Sequence, residues 1–190
     1  MKVTYVTGNW AKVQSAKEKL EPFGIEVDNV KLDIREIQAD DVESIAKFSA
    51  EEARDILHTN VLKNDTGFFV EALGGFPGPY AHYADDTIAE DGILKLMEGV
   101  ENRRAYFKEA FAYAKVNGDT KVFVSVTPGT IALEKSGTYG WSWDFIFIPD
   151  GQTKTLANFD DSIRFSLWNT DGYNELAKYL IDEAKNESLA

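Results

Sequence analysis

The segment Thr7-Gly8-Asn9-Trp10-Ala11-Lys12 brings together residue types suited to holding an anion. It follows a short apolar run and opens a stretch with helical spacing. A helix that starts there exposes backbone N–H groups at its N-terminus, and these attract negative charge. Gly8 permits a tight turn and close approach of a ligand. Thr7 and Asn9 can donate hydrogen bonds, and Lys12 adds a positive charge one turn into the helix. An ordinary strand-to-helix turn capped by Asn9 would use the same residues. The Gly-x-x-x-x-Gly-Lys spacing of a Walker loop is absent.

Carboxylates supply the second chemistry. Asp65, in Lys63-Asn64-Asp65-Thr66-Gly67, reads as the end of an apolar strand, where open α/β sheets place their ligands. Glu36, in Arg35-Glu36-Ile37-Gln38, follows an earlier strand and can reach the same edge. Two carboxylates facing one pocket suit Mg²⁺, which takes a few carboxylate oxygens together with water and phosphate. With 32 acidic residues in the chain, turn capping is the competing reading for any two of them. The segment Ala72-Leu73-Gly74-Gly75-Phe76-Pro77-Gly78-Pro79-Tyr80 reads as a rigid loop that supports the Asp65 turn.

Several elements must position these residues. Lys2 to Val6 reads as a buried strand, followed by a helix with Val13, Ala16, Leu20 and Phe23 on one face. Glu26 to Leu32 reads as a second strand. Asp40 and Glu43 have capping-box spacing ahead of a second helix carrying Val42, Ile45, Ala46, Ser49, Ala53 and Leu57. Phe68 to Val70 continues extended after Gly67. The alternation of strands and helices indicates an α/β sheet. Between Arg104 and Val116, helical spacing competes with a strand-favouring Tyr and Phe content. Lys121 to Val126, Thr130 to Leu133 and Phe145 to Ile148 read as strands. Tyr173, Leu176, Ala177, Leu180 and Ala184 form the apolar face of a last helix, with fraying expected after Lys185.

Composition narrows the partners. The 190 residues, 44% of them hydrophobic, suit one large domain, and no linker divides the chain. Without cysteine there is no disulfide framework and no thiolate metal site. The formal net charge of −12 opposes binding to nucleic acid polymers and to anionic membranes. A single nucleotide remains compatible, because local lysines, backbone N–H groups and a metal override the global field. No apolar run approaches the ~18 residues that cross a bilayer, and a cytoplasmic location is expected.

Taken together, these motifs resemble the inosine triphosphate pyrophosphatase family, the non-canonical purine nucleoside triphosphate pyrophosphatases. Members open with strand-Thr-Gly-Asn-x-x-Lys-helix, matched by Thr7 to Lys12. A Glu followed by x-Gln is matched by Glu36-Ile37-Gln38. The acid-Asp-[Ser/Thr]-Gly-Leu and Ala-Leu-x-Gly-x-Pro-Gly-x-Tyr motifs are matched by Asn64 to Phe68 and by Ala72 to Tyr80. The resemblance spans roughly residues 2 to 180. It implies a single domain over residues 1–190, with an elongated mixed β-sheet flanked by helices and two lobes around a central nucleotide cleft. It also implies that Arg104 to Val116 is a long strand. The implied reaction is Mg²⁺-dependent hydrolysis between the α and β phosphates of a nucleoside triphosphate, and the implied assembly is a homodimer. By position, Thr7, Gly8, Asn9, Lys12 and Thr66 would hold phosphate. Glu36 and Asp65 would bind the metal, and Asp65 would also activate the attacking water. Trp141, Ser142, Trp143 and Asp144 would contact the base, with Trp143 stacking on it.

The sequence departs from the family at three places. Asn64 stands where the first of two adjacent acids is usual, keeping a metal-capable oxygen and losing a charge. Trp141-Ser142-Trp143-Asp144-Phe145 replaces Phe-Gly-Tyr-Asp-Pro. Ser162 and Ser166-Leu167-Trp168 fall where the family has a Lys and Ser-His-Arg that read the base carbonyl. Arg164 could substitute for one of these if it points inward. The departures leave two alternatives beside the family activity: a shifted base specificity, or a nucleotide-binding protein of the same fold with weakened catalysis.

Overall fold

The computed structural model describes residues 1–189. Its elements run β1 (Lys2–Val6), α1 (Trp10–Leu20), β2 (Glu26–Val30), α2 (Val42–Leu57), β3 (Val61–Val70), β4 (Pro77–Gly78), α3 (Ala81–Thr87) and α4 (Ala89–Leu96). They continue with β5 (Arg104–Ala114), β6 (Thr120–Ile131), β7 (Phe147–Pro149), α5 (Asp161–Ser166) and α6 (Asp171–Leu189). The strands form one mixed sheet in the order β2-β1-β3-β5-β6-β7, with β4 paired to β3. β1 lies parallel to both β2 and β3, while β4 runs antiparallel to β3. The fold is the helix-flanked mixed α/β sheet expected from the sequence.

Several local expectations change. Arg104 to Ala114 is a strand, and the Tyr and Phe content outweighs the helical spacing because both faces of that strand are covered along much of its length. Lys121–Val126 and the start of the second run, Thr130 and Ile131, are not two strands but parts of one, β6, which ends before Ala132 and Leu133. The cap of α2 is Asp41, whose Oδ1 accepts the Ser44 N–H at 2.6 Å, not Asp40. The last helix continues through Leu189 where fraying was expected. The largest change concerns Asp65, which lies in the middle of the ten-residue β3 and not at a strand end or turn. The glycine-rich loop supports β3 further along, where Pro77 and Gly78 pair with Phe69 and Phe68.

The chain divides into two compact units. The first comprises residues 1–65, 109–125 and 170–190, and the second comprises residues 66–108 and 126–169. The first has a core in which Val3 and Tyr5 of β1, Leu62 of β3 and Phe111 of β5 meet α1 and α6. Phe111 packs on Tyr173 with ring centroids 4.3 Å apart. The second has a core of Phe68, Phe107, Trp143 and Phe147, joined by Ile93 and Met97. Among the described residues, no helix is long and apolar enough to cross a membrane.

Candidate active site

The Thr7–Lys12 loop joins β1 to α1 in the first unit. Asn9 caps α1: its Oδ1 accepts the N–H of Ala11 at 2.9 Å and of Lys12 at 3.3 Å. Thr7 Oγ1 accepts the Asn9 N–H at 3.1 Å, so its hydroxyl hydrogen stays available for donation. Thr7 is buried, whereas Gly8, Asn9 and Trp10 are exposed. A Cβ on Gly8 would lie 3.5 Å from the stem of Lys31, which places a further lysine alongside the loop. The cap therefore fixes the loop, and the side chains of Thr7 and Lys12 are left for a ligand.

β3 supplies the carboxylate. Alternation along the strand puts Lys63 and Asp65 on one face and Leu62 and Asn64 on the other. The Lys63 ammonium stands 3.8 Å from Glu36 Oε1. Burial holds Lys63 below its ordinary pKa; Lys12 adds to the depression, while Glu36 and Asp65 oppose it. The structure thus brings Lys12, Glu36 and Asp65 into the electrostatic surroundings of one lysine. Thr66 follows Asp65 in the same strand and begins the second unit.

Asn64 faces the opposite side and is 5% exposed. Its Oδ1 accepts a hydrogen bond from the Tyr5 hydroxyl at 2.7 Å, and its Nδ2 is buried without a partner. The oxygen expected to be available to a metal is therefore taken. Tyr5 is in turn hydrogen-bonded to Tyr173, and Tyr173 to Ser15. Burial keeps both phenols protonated well above their usual range.

The donor set decides what cation fits. Among the described residues, no cluster of three or more His, Cys, Asp or Glu side chains could enclose a metal. Glu36 and Asp65 still offer two carboxylates in the surroundings of Lys63. That set fits Mg²⁺ arriving with polyphosphate oxygens and its own waters, as this ion usually binds. It does not fit a cation held by protein groups alone.

Trp141 to Asp144, the segment expected to contact a base, lies in the second unit. Trp143 is 5% exposed and stacks on Phe68 at 5.3 Å within the core. Of the two indoles in this segment, Trp141 is the exposed one, at 46%. Ser142 has φ +56°, a left-handed conformation that glycine adopts without strain and serine rarely does. Asp144 Oδ2 accepts from the Trp141 N–H at 3.3 Å and from Arg164 Nη1 at 2.7 Å.

Arg164 does point inward. It is 2% exposed, and its Nη2 donates to Asp161 Oδ1 at 2.8 Å. The guanidinium carbon lies 4.7 Å from the Trp141 ring centre and 4.8 Å from that of Phe165. Its Nε is buried without a partner. Burial raises the Asp144 carboxyl to about 6, although Arg164 and the Trp141 N–H both pull it down. Ser162 is spent on the cap of α5, its hydroxyl donating to Asp160 at 2.6 Å. Leu167 and Trp168 pack against the core, with the Trp168 ring 4.7 Å from Phe107. None of these three residues reproduces the donors that the resemblance led one to expect.

Sequence reasoning missed Lys63, Tyr5 and Arg164's ion pair with Asp144. Lys63 had a visible signal: a charged residue inside an apolar strand, two positions before Asp65 and so on the same face. The other two depend on partners 59 and 20 residues away, which no local pattern reveals.

The helix-flanked mixed sheet, with a capped strand-to-helix turn after β1 and Asp65 in mid-strand, defines the chain as an α/β protein. The chain belongs to the Ham1 family, whose profile matches residues 3–166. It is 45% identical over 157 residues to a dITP/XTP pyrophosphatase of Methanopyrus kandleri, covering 83% of this chain and 84% of that protein. It is 40% identical over 184 residues to a dITP/XTP pyrophosphatase of Ignicoccus hospitalis, covering 96% and 98%. Among solved structures, the Ham1 protein of Staphylococcus aureus superposes with TM-score 0.81 at 25% identity, covering 96% of this chain and 100% of that one. A HAM1 protein from Coxiella burnetii shares the fold with TM-score 0.82 at 21% identity, covering 96% and 99%.

Proposed function

We propose that this chain hydrolyses non-canonical purine nucleoside triphosphates to the monophosphate and pyrophosphate, cleansing the nucleotide pool. The observation that carries the reading is the grouping of Lys12, Glu36 and Asp65 around Lys63, next to the capped loop of Thr7 to Lys12. The names of the relatives from M. kandleri and I. hospitalis support the substrate class.

In this reading Thr7, Gly8, Asn9 and Lys12 hold the phosphate chain, and Thr66 adds a hydroxyl contact. Asp65 accepts a proton from the water that attacks the α phosphorus. The bond from that phosphorus to the α–β bridging oxygen breaks, and the leaving pyrophosphate keeps the bridging oxygen. Lys12 offsets the charge that develops on it. Glu36 and Asp65 would hold Mg²⁺, which supplies charge neutralisation at the phosphates. At the base, Trp141 offers the exposed ring and Arg164 is the buried donor that stands in for the missing Lys and His-Arg. A guanidinium committed to Asp144 and Asp161 reads a base differently from a free lysine, and this is the observation that favours the alternative of a shifted base preference.

The test is pyrophosphate release from the triphosphates of inosine, xanthosine, deoxyuridine and the four standard bases, with and without Mg²⁺. Release from inosine or xanthosine triphosphate well above the standard set is expected. Absence of release from every triphosphate, with binding retained, would instead establish the weakened-catalysis alternative that Asn64 favours.

A further inference from the structure

We propose that Lys63 is a second phosphate-binding cation of this site, held by Glu36 in the free protein and transferred to the polyphosphate when it binds. The inference rests on the reading that the Thr7–Lys12 loop receives phosphates, and it adds a group that neither the loop nor the carboxylates supply.

The argument begins with cost. The Lys63 side chain is only 14% exposed and sits in a strand whose neighbours Val61 and Leu62 are fully buried. Withdrawing an ammonium from water is expensive unless a close partner compensates. The partner present is poor: Glu36 stands at 3.8 Å, the long end of an ion pair, and is itself 69% exposed. Such a pair contributes little. Burial of Lys63 is therefore not accounted for by its pairing with Glu36.

Its other surroundings say what would compensate. Lys63 shares a strand face with Asp65, about 6.6 Å further along, and its field overlaps that of Lys12. Two ammonium groups near one another repel until an anion bridges them. Lys31 runs beside Gly8 at the same loop. In a chain with net charge −12, these lysines form a local exception that a polyphosphate can use. A lysine acts on phosphate as a compact point charge and needs no bidentate geometry.

The test is calorimetric binding of inorganic tripolyphosphate in EDTA, which removes any metal contribution. Wild type is compared with Lys63→Met and Lys63→Arg, with circular dichroism and thermal melting as controls for folding. Loss of one charge-assisted contact predicts affinity weaker by about tenfold or more in Lys63→Met and within about threefold of wild type in Lys63→Arg. Lys63→Met binding as tightly as wild type overturns the proposal, as does a wild type that binds no tripolyphosphate in EDTA. If Lys63→Met does not fold, the Lys63→Arg variant and the ionic-strength slope of wild-type binding decide. A slope showing fewer than two phosphate-neutralising cations overturns the proposal. Unchanged KM for nucleotide in Lys63→Met, with pyrophosphate still released, removes Lys63 and leaves the function standing. Lost tripolyphosphate binding in Lys63→Met, with a wild type that releases no pyrophosphate, keeps Lys63 and removes the function.

Discussion

The Tyr5 hydroxyl donates to Asn64 Oδ1 across 2.7 Å of protein interior, joining β1 to β3 beneath the strand face that carries Asp65. The bond fixes the orientation of the amide and turns its oxygen away from any cation. It also anchors one end of the hydroxyl chain from Ser15 through Tyr173. Tyr5→Phe strands the amide in the core, and a buried unsatisfied group costs about 1–3 kcal/mol. Chemical denaturation should show a loss in that range. A loss below about 0.5 kcal/mol would mean that the bond is not made.

Asp65 is the group assigned to proton transfer, and its mid-strand position makes it rigid. Asp65→Asn keeps the shape of the side chain and removes the base. Turnover should fall by about 100-fold or more, with melting temperature little changed. Turnover within about twofold of wild type contradicts the role.

Arg164 and Asp144 form an ion pair with both partners almost fully buried. Removing only the carboxylate in Asp144→Asn leaves a guanidinium short of its counter-charge, a loss of about 3–5 kcal/mol. The paired change Asp144→Asn with Arg164→Met removes both charges and should recover part of that loss. Equilibrium unfolding of both variants measures the difference. A double variant no more stable than the single one would show that packing on Trp141 and Phe165, and not charge, dominates.

Glu109, on β5, has its carboxyl raised from 4.5 to about 7 by burial, against the pull of Lys19 and Lys12. The folded protein therefore keeps a proton that the unfolded chain releases between those values. Stability contributed by this group is highest below pH 4.5 and declines as pH rises through 7. Glu109→Gln cannot titrate, so its stability relative to wild type should rise with pH, by up to about 3 kcal/mol at pH 8. Denaturation at pH 4.5 and pH 8 reads the change, and an equal difference at both pH values contradicts it.

How far the sequence reveals this arrangement depends on the range of the interactions. The turn from β1 into α1 was legible because Thr7, Gly8, Asn9 and Lys12 lie within one turn, and the structure shows Asn9 as its cap. β5 was ambiguous because its apolar residues satisfy two periodicities, and only cover on both faces selects the strand. Asp65 was misplaced at a strand end because Asn64, Asp65 and Gly67 look like a turn; pairing of Phe68 and Phe69 with Gly78 and Pro77 keeps the segment extended. Trp143 and Trp141 cannot be told apart by residue type. Only the packing of Phe68 against Trp143 settles which indole faces solvent.

The first unit gathers its residues from the beginning, middle and end of the chain. Tyr5 packs with Tyr173 in its core, so the opening strand must wait for α6 before that core can close. At a synthesis rate of about 5–20 residues per second, the wait on the ribosome is roughly 8–34 s. The second unit is itself complete only at residue 169, just before α6 begins to emerge, so it gains almost no head start on the first. Until α6 arrives, Val3, Ala16 and Leu20 of the nascent β1 and α1 stay without the cover that Tyr173, Leu176 and Leu180 give them in the finished core.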